Sequence, residues 1–224
     1  MLLALPQAVL AASGQVTNVS GAVIARQPDG ASRILSTRSE VNEGDLLVTA
    51  DNSYARVKFT DGAELVLRPG TQLKIDAYRF EERNPESDGF VLSLLKGGMR
   101  SITGLLARRN PARAKYSTPT ATIGIRGTHF GALFCNDDCA NVPSPTGDAP
   151  ANGLHVDVAD GRIVVTTQAG EREFSVGQFG FVASPAAIPL PVPAGQGIRA
   201  SLPQQAIVAR TGLGRAGELE CVIR

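Results

Sequence analysis

Apolar and polar residues alternate with a period of two along much of this chain. In Ser53–Thr60, Ala55, Val57 and Phe59 fall on one side of an extended backbone, and Arg56, Lys58 and Thr60 on the other. That is the pattern of a strand with one buried face. Alternation resumes in Ala63–Arg68 after Asp61-Gly62. Two such runs joined by Asp-Gly predict a hairpin, because a type I′ turn demands positive φ at both central positions. Pro69-Gly70 supplies the next turn, and Leu73, Ile75 and Ala77 carry the pattern on. Phe90–Leu95 is a more continuous apolar run, as expected of a buried strand, and Gly97-Gly98 is expected to end it. Leu154–Ala159 and Arg162–Thr167 predict a second hairpin about Asp160-Gly161, and Gln178–Ala183 predicts one more strand. Helical periodicity is confined to short turns at Leu105–Arg109 and Gln204–Arg210. The expected class is all-β and antiparallel.

Similar supersecondary units stand near the two ends of the β region. Gly21-Ala22-Val23-Ile24 is followed by Gly30, Arg33 and Gly44-Asp45; Gly161-Arg162-Ile163-Val164 is followed by Gly170, Arg172 and Gly177-Gln178. Each copy reads as strand, turn, strand, turn, strand. Asn136–Asn152 is polar and contains Pro and Ser, which predicts an exposed loop. From Ser184 the composition shifts. Pro185, Pro189, Pro191 and Pro193 cannot sit in a central strand, so residues 184–224 are expected to form a Pro- and Gly-rich C-terminal extension or arm, loosely ordered at Gly212–Arg224.

The first 13 residues, with Leu2, Leu3, Leu5, Val9 and Leu10 in a short apolar run, read as the tail of a secretory signal peptide. The basic start of such a peptide is missing, and an apolar first strand is the alternative. This divides the chain into residues 1–13 as a signal peptide, 14–183 as the β domain and 184–224 as the extension. No later stretch approaches the length of apolar chain that spans a bilayer. The expected location is periplasmic or secreted.

Composition narrows the function classes. Hydrophobic residues make up 43% of the 224, enough to fill a core, and the net charge of +1 gives no general attraction to nucleic acid. Cys135 and Cys139 flank Asn136-Asp137-Asp138, a spacing that closes a small disulfide loop in an oxidising compartment. Cys221 stands alone. A metal reading of Cys135, Asp137, Asp138 and Cys139 lacks a second cysteine pair or a histidine motif. His129 and His155 are the two histidines, and no nucleophile elbow or phosphate loop accompanies them. The sequence therefore calls for no cofactor and no metal. A hydrolase built from scattered acids is the remaining catalytic alternative.

The most distinctive stretch is Tyr116–Phe130, with Thr118-Pro119 leading into Ile125-Arg126-Gly127-Thr128. Ahead of it, in order, come Gly21 with Val23, Glu43-Gly44-Asp45 with Thr49, Ser53, and Asp61-Gly62. Leu65, Leu67, Pro69 and Thr71 follow, then Leu94 and Gly97-Gly98 with Arg100. As an ordered set these features resemble the FecR domain family, whose best-known members regulate iron-uptake genes from the periplasm. The resemblance covers about Val16 to Phe134 and extends towards Val182. It implies a β-sandwich of jelly-roll-like character and a signalling or scaffolding role without catalysis. Signalling members carry a cytoplasmic segment and one membrane span ahead of this domain. The apolar start of this chain points instead to a stand-alone exported module that binds an envelope protein or a cell-surface glycan. The alternative is a regulatory component of a relay between an outer-membrane receptor and a sigma factor.

Individual residues carry two readings each. Alternation puts Ile123 and Ile125 on one face and Thr122, Arg126 and Thr128 on the other, with Gly124 and Gly127 leaving room beside Arg126. Arg126 is expected to be pinned by carbonyl groups or by a carboxylate such as Asp45 or Asp61; the functional alternative is an anchor for a carboxylate or phosphate ligand. Gly62 and Gly44 are turn glycines, and Glu43 with Asp45 is a solvated turn before it is a cation site. No acidic residue falls between Gly89 and Asn136, whereas Asp76, Glu81, Glu82, Glu86 and Asp88 concentrate just before. Either the acidic and basic parts face each other, or Arg108, Arg109 and Arg113 form a patch for an anionic partner.

Overall fold

The structure, a computed structural model, describes residues 12–200. The helical turn expected at Gln204–Arg210, the loose end Gly212–Arg224, Cys221 and most of the signal-peptide segment lie outside these residues. The described chain is mostly β. Its strands are β1 (Gly14–Ser20), β2 (Val23–Arg26), β3 (Ser32–Ile34), β4 (Glu40–Val41), β5 (Leu46–Thr49), β6 (Tyr54–Phe59), β7 (Glu64–Leu67) and β8 (Gln72–Arg79). There follow β9 (Gly89–Ile102), β10 (Ala114–Ser117), β11 (Thr122–Cys135), β12 (Gly153–Thr167), β13 (Gly170–Ser175), β14 (Phe179–Val182) and β15 (Leu190–Val192). A single short helix, α1 (Leu105–Arg109), falls where the sequence predicts it.

All strands join one hydrogen-bonded network, mostly antiparallel, with β10 parallel to β9. The registers divide it into two leaves. Leaf I runs β3-β2-β5-β8, then the first half of β9, then β10, the first half of β11, the second half of β12, and β13. Leaf II runs β4-β1-β6-β7, then the second half of β9, the second half of β11, the first half of β12, β14 and β15. Strands that pass from one leaf to another must bend at the corner. Each of the three bends at a glycine in the left-handed region: Gly97 at φ 76°, Gly127 at φ 60° and Gly161 at φ 71°.

Two local expectations are corrected by this geometry. Gly97-Gly98 does not end a strand, because β9 continues through it to Ile102. Asp160-Gly161 is not a hairpin turn, because β12 is one strand paired with β11 on both sides of it. A glycine that accepts positive φ serves a hairpin and a corner equally well, so the local sequence does not distinguish them. The hairpin about Asp61-Gly62 does form between β6 and β7. Its loop is wider than a two-residue turn: the Phe59 N–H donates to Ala63 O at 2.9 Å, and only Gly62 has positive φ, at 82°.

The inner faces of both leaves make one core. Leaf I contributes Leu47, Leu73, Ile75, Leu92, Ile123 and Val165, and leaf II contributes Val57, Leu65, Met99, Phe130 and Val156, all buried. Phe90, Tyr116 and Phe130 stack edge to face across it, with centroids 5.3 and 5.1 Å apart. The Tyr116 hydroxyl meets Ser101 Oγ at 2.5 Å, so the ring is buried without an orphaned polar tip.

Candidate functional site

The acids and glycines singled out in the sequence are brackets between elements. Asp45 is buried; it takes Arg33 Nη2 at 2.5 Å and the Asn42 N–H at 2.9 Å. Beside it Gly44 has φ 87°, and a Cβ there would meet Pro28 Cγ at 2.6 Å. Glu43 accepts the Tyr78 N–H at 3.0 Å. Asp61 is buried too, so the solvated turn expected of Glu43 with Asp45 does not hold for Asp45, and Asp61 is no exposed turn residue either. It accepts the Ala63 N–H at 3.0 Å, the Leu106 N–H at 3.2 Å and the Tyr78 hydroxyl at 3.1 Å, tying the hairpin to α1 and to β8. Burial, with Asp61 close by, pushes the Tyr78 phenol well above its ordinary pKa.

Arg126 is not pinned. It is exposed, and Asp45 and Asp61 are taken by the partners just named. The bulge at Gly127 re-aims the strand after it, so Thr128 is buried against Thr103 instead of sharing the Arg126 face. Gly127 is a corner glycine, and the Cβ of a residue at 161 would meet its carbonyl oxygen at 2.4 Å. Gly124 has open space about it: a Cβ there would find only Val164 O at 3.8 Å.

The basic residues divide. Arg109 reaches Glu82 O at 3.3 Å and lies over the Phe80 ring at 5.6 Å, and Arg113 donates to Glu86 O at 2.7 Å. These two are turned onto the acidic β8–β9 loop through its main-chain carbonyls, and Arg109 also pairs with Asp88 at 4.0 Å. Arg108 and Arg126, both exposed, line an open cleft with Ala107, Pro111 and Gly127. Directly opposite Arg126 on β12 stands Arg162, which meets Glu173 at 3.4 Å.

Cys135 and Cys139 are joined in a disulfide, with Cα atoms 5.5 Å apart. The loop it closes is tied down by Lys96 to Asp138 at 3.4 Å and by Asp137 to Asn152 at 2.7 Å. Among the described residues no group of three or more His, Cys, Asp or Glu side chains is placed to hold a metal ion. His155 is buried, its Nε2 2.8 Å from Ala151 O and its ring 4.8 Å from Phe181. Burial lowers its pKa, opposed by the Ala151 contact.

One constellation escapes the sequence reading. On the outer face of leaf II, Arg100 and Asp157 form a buried ion pair, 57 residues apart in the chain. The segment 193–200 lies over them as a strap. Arg100 Nε donates to Ala200 O at 2.9 Å, and the Ala200 N–H donates to Asp157 Oδ1 at 2.9 Å. Gly131 makes room for this: a Cβ would meet Asp157 Oδ1 at 2.3 Å and the Ala200 Cβ at 2.6 Å. Ile198 is buried with Leu133, Cys135 and Cys139, and Arg199 sits over the Phe179 ring at 5.2 Å. Arg68 lies alongside. Its Nε and Nη1 are buried without an acceptor, and desolvation lowers its pKa, offset in part by Tyr54 and Asp157. Gly98, Gly131 and the strap's Gly197 are local signals that a side chain would not fit on this face.

The sequence pattern of the family described as FecR protein matches residues 45–163. No curated protein matches the chain. Two crystal structures of a candidate anti-sigma factor from Parabacteroides distasonis ATCC 8503 are similar in fold, with 14% and 15% identity and TM-scores of 0.47 and 0.49. Each alignment covers 75% of this chain, and 65% and 64% of the other. The chain thus spans less than two thirds of the length of those structures.

Proposed function

The chain belongs to the FecR protein family, and from that premise we propose that it is a non-catalytic recognition domain in trans-envelope signalling to a sigma factor, working on the periplasmic side. The observation that carries this reading is the family match over residues 45–163, which includes the hairpin at Asp61, all three strand corners and both members of the Arg100–Asp157 pair. Its polar side chains support binding better than chemistry, since Asp45, Asp61 and Asp157 are each held by two or more fixed donors. A catalytic acid or base needs a free proton site within reach of substrate. The two leaves with bent shared strands fit the sandwich of jelly-roll-like character that the family implies. The anionic-partner reading narrows to Arg108 and Arg126, because Arg109 and Arg113 are occupied. A stand-alone envelope adaptor shares the location and differs only in partner.

Two measurements test the proposal. An alkaline phosphatase fused after the full chain is expected to be active in its host, and deletion of the gene is expected to change the transcription of a sigma-factor-dependent operon. An inactive fusion overturns the location. An unchanged transcriptome with an active fusion overturns the relay and leaves the adaptor.

A further inference from the structure

The strap on leaf II is held by features that any extended peptide could use. Arg100 and Asp157 take the carbonyl and the N–H of one residue, Ala200, and read no side chain. Ile198 fills one apolar socket between Leu133 and the disulfide. Backbone capture plus an aliphatic anchor is the usual logic of extended-peptide recognition.

Arg68 is the part of this face that the strap does not satisfy. It follows β7, with its N–H bonded to Gly98 O at 2.9 Å, and its Cδ is 3.2 Å from where a Cβ on Gly98 would stand. Gly98 is directly opposite Leu133, the floor of the Ile198 socket. The guanidinium therefore flanks the peptide track with two buried donors unused. A buried donor without an acceptor is destabilising, and more so when charged. Asp157 already receives Arg100 and the strap. The strap itself supplies no carboxylate: no Asp or Glu occurs between Glu173 and Glu218.

We propose that the outer face of leaf II is a peptide-docking groove, held in cis by Gly197–Ala200 and taken in trans by an extended segment of a partner protein whose carboxylate pairs with Arg68. This deepens the reading of the chain as a recognition domain and rests on it. The partner segment replaces the strap's backbone contacts one for one. It adds a charge-assisted, bidentate pair that the strap lacks, and this gives the partner its advantage over the tethered occupant.

The test uses the full chain and capped, fluorescently labelled peptides of the strap sequence 194–201, each with one position changed to Glu or, as its control, to Gln. Anisotropy is expected to show one Glu position binding roughly tenfold more tightly than its Gln counterpart, the size of one charge-assisted hydrogen bond. The gain should vanish on Arg68→Gln. All peptides should bind more tightly to Ile198→Ser, which weakens the cis occupant. The Glu/Gln comparison on the unaltered chain stands even if either variant fails to fold. Equal binding of every Glu and Gln pair, or a gain that survives Arg68→Gln, overturns the proposal. A blank peptide series beside an intact transcriptional response overturns the groove alone.

Discussion

Leaf I faces outward with paired charges in water, whereas leaf II keeps one ion pair, Arg100 with Asp157, under a lid of its own chain. On leaf I, Lys74 meets Asp76 at 2.8 Å with both side chains substantially accessible. On leaf II, Arg100 and Asp157 are 10% and 5% accessible and are covered by the strap. The two pairs look alike as sequence: one base, one acid, each on a strand. They differ in dielectric surroundings. A solvated pair can lose a partner to water, and a buried one cannot. The same contrast separates Arg126, exposed on leaf I, from Arg68, which is half-buried with Nε and Nη1 shut away from solvent.

The sharpest way to break this comparison is to delete the acid on each leaf. Asp157→Ala leaves Arg100 buried and unpaired and should cost about 3–5 kcal/mol in urea unfolding, whereas Asp76→Ala should cost less than about 1 kcal/mol. Similar losses at both sites would refute the difference between the faces.

Backbone room gives a second, smaller contrast. Gly131→Ala drives a methyl group into Asp157 and Ala200 and should lose about 1–3 kcal/mol of stability. Gly124→Ala, on the open face of leaf I, should change it by no more than about 0.5 kcal/mol, measured in the same way.

The gentlest probe is pH. His155, in leaf II, has a folded pKa below its ordinary 6.5 because burial disfavours the imidazolium. The unfolded chain therefore takes up the proton first. The contribution of His155 is fully present above the unfolded value and falls away as pH drops from neutrality through it towards the folded value. Thermal unfolding between pH 7.5 and 5 should show a fall in Tm that is shallower in His155→Phe. A parallel fall in both proteins would remove His155 from the account.

Much of the fold is legible locally. Ala55, Val57 and Phe59 face the core as their spacing requires, the Asp61-Gly62 hairpin forms, and Leu105–Arg109 is helical. The corners at Gly97 and Gly161 were not legible as corners, since the φ they demand is the φ of a turn. Of the candidate site, the disulfide and the facing charges of Arg109 and Arg113 follow from spacing and charge order. The pinned arginine does not. Arg126 and Arg100 each sit on a strand near glycines, and only the packing of the strap over one leaf decides which guanidinium is buried.

What the sequence determined by itself is therefore whatever depends on neighbours in the chain: strand period, turn glycines, the four-residue spacing of the cysteines, and the ordered set of motifs that marks the family. What only the tertiary structure decided is which faces meet water. Arg100 finds Asp157 across 57 residues and Ala200 across 100, contacts set by three strands bending between two leaves. Desolvation acts on a charge according to what lies above it in space, and no local pattern records that.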